Sequence, residues 1–196
     1  MEASFLKRML AYFVDTILIT FVVSLISLAI PNDNYKEYSE EYTKLTKEYQ
    51  ESEMTIENYK EYIKSSSSIL YNMNKSNIIV TGIQVVLTIS YFIVFQYKMN
   101  GQTIGKKIFK IKVTENGSSP SLNAIIKRTL IVDSILSGIL GILILYILNK
   151  DNYYLGYLLI SSVETIFAFA SALFILYRKD KIGLHDMMAN TKVVEE

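Results

Sequence analysis

Residues 7–30 read KRMLAYFVDTILITFVVSLISLAI, a basic pair followed by a run from Leu10 to Ile30 whose one charged side chain is Asp15. An α-helix rises about 1.5 Å per residue, so a run of this length covers the roughly 30 Å hydrocarbon core of a bilayer. Three more such runs follow: Ile78 to Tyr97, Thr129 to Leu148 and Leu155 to Tyr177. The chain of 196 residues is 51% hydrophobic and 20% charged, against about 25% charged residues in an ordinary soluble domain. Clustering of the apolar residues decides the class: an all-α, four-transmembrane-helix bundle, one membrane domain over residues 1–196. A cleaved signal peptide is the competing account of the N-terminus, but the run is longer than the usual apolar region of about 7–15 residues and contains Asp15. With no cysteine in the chain, disulfides, thiol catalysis and cysteine-held metals are excluded.

The net charge of +1 becomes informative once it is divided among the loops. Between Lys98 and Arg128 lie seven basic residues and one acid, Glu115, whereas the stretch from Pro31 to Asn77 holds nine acids and six lysines. The positive-inside bias makes the first loop cytoplasmic and the 31–77 stretch extracytoplasmic. An even number of crossings then places Met1 and Glu196 in the cytoplasm, as expected of a multi-pass protein of the cell membrane. The 31–77 insertion is itself helical in pattern, because Tyr35, Tyr38, Tyr42, Leu45, Tyr49, Ile56, Tyr59 and Ile63 recur at 3–4 spacing with a gap at Ser52. A break near Ser52 to Thr55 predicts two antiparallel helices, with the tyrosines packing them together.

The chain also resembles itself, and predicts two tandem two-helix repeats. Lys7-Arg8 leads to Val14-Asp15-Thr16-Ile17-Leu18, and Lys127-Arg128 leads to Val132-Asp133-Ser134-Ile135-Leu136. After the returning spans, Ile104-Gly105 precedes Lys112-Val113 as Ile182-Gly183 precedes Lys192-Val193. Halves repeated in the same orientation are related by an axis along the membrane normal.

These residues resemble the RDD family of bacterial membrane proteins, named for an arginine and two aspartates, over nearly the whole chain. Arg8 and Asp15 look like the first two named residues; Gly101 to Lys107 and Gly183 to Thr191 look like the family's other familiar stretches. The resemblance makes Asp186 the second aspartate, and implies transport, suggested for the family and including sodium/proton exchange for some members. Asp133 comes from the internal repeat and not from the resemblance. The long 31–77 stretch and Glu164 depart from the short family pattern.

A carboxylate inside a span costs about 2.5–3.5 kcal/mol on insertion scales, so Asp15, Asp133 and Glu164 are candidate proton or cation groups, with Asp186 beside them. Arg8, Arg128 and His185 are their candidate charge partners. Arg8 is poorly placed to reach Asp15 along its own helix, as Arg128 is for Asp133, so packed halves suggest exchanged pairs: Arg8 with Asp133, Arg128 with Asp15. Helix-supporting roles for the same aspartates remain the plainer alternative, as does a hydrogen bond to Ser161 for Glu164. The stretch from Gly101 to Lys107 fails the phosphate-loop pattern, having three residues between its glycines. Its lysines Lys106, Lys107, Lys110 and Lys112 are instead placed against anionic headgroups on the cytoplasmic face, with Ile108, Phe109, Ile111 and Val113 entering the interface. His185-Asp186 alone makes no metal site, and neither a cofactor nor a nucleic-acid partner is expected. Two functions fit: a small oligomeric transporter of ions or solutes, concretely a proton-coupled cation exchanger, or a noncatalytic membrane scaffold. No nucleophile, base and metal constellation points to an enzyme.

Overall fold

The computed structural model describes residues 1–196, the side chain of Ile131 excepted. Helix α1, Phe5–Ala29, starts where the Ser4 hydroxyl accepts the Lys7 N–H at 3.3 Å, and it runs the full width of a bilayer. Helices α2, Asp33–Glu51, and α3, Ile56–Ser76, form the hairpin predicted from the tyrosine stripe. Asn32 and Thr55 cap them by accepting Tyr35 N and Asn58 N. Tyr49 stacks on Tyr62 with ring centroids 4.3 Å apart, so the tyrosines do pack the two helices. Helix α4, Ile78–Lys98, returns across the membrane and contains a π-helical segment, Ser90–Phe95.

A short helix α5, Ile104–Ile108, and strand β1, Ile111–Glu115, follow. The apolar run expected as one helix from Thr129 to Leu148 is two: α6, Leu122–Val132, and α7, Ile135–Ile147, bent by 62°. Helix α8, Tyr153–Tyr177, crosses back, and α9, Leu184–Ala189, leads to β2, Thr191–Glu195. Three helices are thus long and apolar enough to span a membrane, four if the bent pair is one span. Phe13, Ile17 and Phe21 of α1 and Leu159, Val163, Ile166 and Phe169 of α8 are exposed, an apolar surface that suits hydrocarbon and not water.

The helical expectation needs one amendment, an antiparallel pair of strands. β1 pairs with β2 in the register Ile111↔Glu195, Val113↔Val193, Glu115↔Thr191. Alternation in Ile-Lys-Val-Thr sends Ile111 and Val113 one way, and both are fully buried with Ala3, Ala11 and Val193. They therefore fill the protein interior and do not enter the lipid interface as expected. Glu2 bridges to Val194, and Glu195 N donates to Met1 O at 2.9 Å, so the two termini lie together. This is the terminal side. The hairpin base marks the far side, where Ser67 Oγ donates to Lys150 O and accepts Tyr154 N at 2.9 Å.

Candidate functional site

On the terminal side three charged residues from distant parts of the chain meet. The Asp186 carboxylate, wholly buried in α9, takes Arg8 Nη1 on Oδ2 at 3.0 Å and Arg128 Nη1 on Oδ1. Gly183 N and Thr191 Oγ1 also donate to it, each at 3.2 Å. Arg8 also donates from Nε to Ala3 O and from Nη2 to Val193 O, at 3.2 and 3.3 Å. One carboxylate thus ties α1, α6, α9 and β2 together, in a buried place where an unpaired charge would be expensive. Neither exchanged pair expected from the repeat forms an ion pair among the described residues; both arginines converge on Asp186 instead. Next to it His185 shares a 2.6 Å hydrogen bond between Nδ1 and Ser171 Oγ. Burial first, then the positive charges of Arg128, Arg8 and Lys106, hold His185 well below its usual range, so the ring is neutral at pH 7.

Asp15, fully buried, has a different set of partners. It accepts Tyr91 Oη and Thr103 Oγ1, each at 2.5 Å, and Gly105 N at 2.7 Å. The π-helical segment supplies Tyr91, and Thr103 is the N-cap of α5, accepting Lys106 N at 3.3 Å. Asp15 therefore clamps α5 onto α1. The clamp is close enough that a Cβ on Gly105 would strike Ala11 O and lie 2.9 Å from Asp15 Cγ. Gly183 is packed closely too: a Cβ there would come 2.7 Å from Ser171 Oγ.

The break between α6 and α7 falls at Asp133 and Ser134, the latter left-handed at φ 56°. Asp133 lies beyond the last carbonyls of α6, where the helix dipole is negative, and its carboxylate has no hydrogen bond among the described residues. It borders a cavity of about 260 Å³ on the terminal side, with Lys106, Arg128, Asp15, Ser171 and His185. Ser134 faces the other way, donating to Glu164 Oε1 of α8. That pair borders a second cavity, about 270 Å³, on the far side, with Asn74, Thr81, Gln84 and Ser161. Two largely apolar cavities, each with a few polar and charged groups, thus border one broken helix, one on the terminal side and one on the far side.

Of the four lysines placed against headgroups, Lys107 and Lys110 are exposed and Lys112 half-buried, its Nζ 3.6 Å from Glu196. Lys106 turns inward and donates to Gln96 Oε1 at 3.2 Å; burial and then the nearby Arg128 lower its ammonium to about 8. Tyr91, Thr103, Gln96, Ser134 and Ser171 were not singled out from the sequence, since a hydroxyl or amide inside an apolar run carries no periodic signal. A family model described as RDD family matches residues 2–190. No curated protein and no solved structure matches the chain.

Proposed function

Because the chain belongs to the RDD family, a family of membrane proteins, we propose that it moves a small cation against protons across the bilayer, using Asp133 and Glu164 on either side of the broken span. The carrying observation is the break itself: it turns Asp133 into one cavity and joins Ser134 to Glu164 in the other. Discontinuous helices inside transporters expose carbonyls that coordinate cations and amide groups that favour anions. Here the carbonyl end of α6 favours a cation at Asp133, and the amide end of α7 favours the Glu164 carboxylate. Asp15 and Asp186 have their charge taken up by hydrogen bonds and ion pairs, which fits them as holders of the fold and leaves Asp133 and Glu164 as the groups free to exchange.

In this reading the terminal side is cytoplasmic, where Lys107 and Lys110 meet anionic headgroups. We read the two halves, α1 with α4 and α6–α7 with α8, as tandem repeats; the pairing of Val113 with Val193, the residues the internal alignment equates, supports that reading, since a two-fold axis between the halves would bring them together. The four spans enclose little room, which favours a homo-oligomer. A noncatalytic scaffold is the second reading, favoured by the hairpin tip, where Met54 and Ile56 are exposed. Proteoliposomes loaded with a pH-sensitive dye separate the two. Sodium, potassium or lithium pulses should move protons if the chain exchanges cations, and no response from intact folded protein would leave the scaffold.

A further inference from the structure

The terminal-side cavity has a doorway as well as a charged floor. Phe5, Met9 and Tyr12 line one jamb on α1, at the spacing of a single helix face, and Ala168, Ala172 and Ile175 line the other on α8. These two helices touch little, and Met9 and Tyr12 are exposed on the outer surface. The gap therefore opens sideways into the bilayer leaflet on the terminal side, where the molecules at hand are lipids. An empty apolar cleft between helices would forfeit the dispersion contacts that hold membrane bundles together, so filling it with an acyl chain is favourable.

The floor identifies the headgroup. Arg8 spends one N–H each of Nε, Nη1 and Nη2 on Ala3, Asp186 and Val193, and Asp15 accepts three hydrogen bonds of its own. His185 is tied to Ser171. The charges with the fewest partners among the described residues are opposite in sign: the Asp133 carboxylate beside the last carbonyls of α6, and the Lys106 ammonium, which has a single acceptor in Gln96. Arg128 adds its second edge, since its recorded bonds, to Asp186 and Thr191, use Nη1 alone. A ligand that matches has a cation with N–H donors for Asp133, an anion for Lys106 and Arg128, and an apolar tail for the doorway.

We propose that this cavity binds one zwitterionic phospholipid with a primary ammonium headgroup, a phosphatidylethanolamine, entering sideways between α1 and α8. The ammonium meets Asp133, the phosphate meets Lys106 and Arg128, and an acyl chain lies along Ala168 and Ala172. The site shares Asp133 with the transport reading, so lipid ammonium and transported cation would compete for that carboxylate; lipid binding itself needs no ion movement and is measured without it.

Delipidated protein in detergent, titrated in native mass spectrometry with phosphatidylethanolamine, phosphatidylcholine and phosphatidylglycerol of one acyl composition, tests it. One phosphatidylethanolamine per chain should bind, and bind tighter than either competitor by roughly tenfold, the scale of one charge-assisted hydrogen bond. Ala172→Phe, which closes the doorway, should abolish that binding in protein still monodisperse and helical. If that variant does not fold, Asp133→Asn serves, because it keeps the packing and should erase the preference over phosphatidylcholine. Equal retention of all three lipids would mark an ordinary lipid annulus, and tighter phosphatidylglycerol binding a plain anion site. Either result, or binding indifferent to both substitutions, overturns the proposal.

Discussion

Asp186 joins parts of the chain that have no local reason to meet, and its replacement should be the most damaging single change on the terminal side. Asp186→Asn leaves two buried guanidinium groups facing a neutral amide, and breaking one partner of a buried ion pair costs about 3–5 kcal/mol. Thermal unfolding in detergent should show a loss of that order, and a cycle with Arg128→Gln should show coupling beyond the roughly 0.5 kcal/mol scatter of independent sites. Additive losses would mean that the charges are separately supported. His185 supplies a pH dependence of known sign. Its folded value is depressed, so as pH falls through about 6.5 the unfolded chain takes up a proton that the folded one refuses, and stability is lost. Wild type should therefore lose more stability between about pH 7.5 and 5.5 than His185→Gln; equal slopes would place the titration elsewhere. The basic pairs, Asp15 and Asp133 were legible from the repeated segments and from the rarity of charge in apolar runs, and Asp186 from the family resemblance alone. Their partners were not, because Asp186 stands 178 residues from Arg8 and no local period connects them.

Among the elements, hydrocarbon width and helical period made the three uninterrupted spans and the hairpin readable, and the gap at Ser52 located the turn. The break in the remaining run left no mark, since neither glycine nor proline stands at Asp133 or Ser134 and a serine carries the left-handed turn. The strands were hidden for a different reason: Ile111 and Val113 looked like the apolar side of an interfacial segment until they were placed against Glu195 and Val193. The α1–α5 clamp makes the clearest prediction at this scale. Gly105→Ala puts a methyl against Ala11 O, within 2.9 Å of Asp15 Cγ, where backbone cannot yield cheaply. Overpacking of this kind costs about 1–3 kcal/mol, whereas Gly82→Ala, where a Cβ meets nothing within 4 Å, should be tolerated. Comparing the two melting temperatures checks it; similar values would mean that α5 is held loosely.

At the scale of the whole molecule, the shared side of the two termini is a feature of the fold, and its orientation in the cell is the prediction. Cysteines introduced at Gln50 and Asp151 should react with an impermeant reagent in intact cells, and cysteines at the exposed positions Lys107 and Asn190 should not. The reverse pattern would invert the protein and with it the direction of transport. The account rests most on the exchange of cations and protons at the broken span. Proton movement driven by a sodium, potassium or lithium pulse, measured in proteoliposomes holding equal amounts of folded wild type, Asp133→Asn, Glu164→Gln and Lys107→Gln, addresses that directly. Wild type and Lys107→Gln should respond alike, while each carboxylate variant should fall by roughly tenfold or more, the effect of removing one charged contact in a water-poor site. Full cation-driven proton movement in both carboxylate variants would contradict the account.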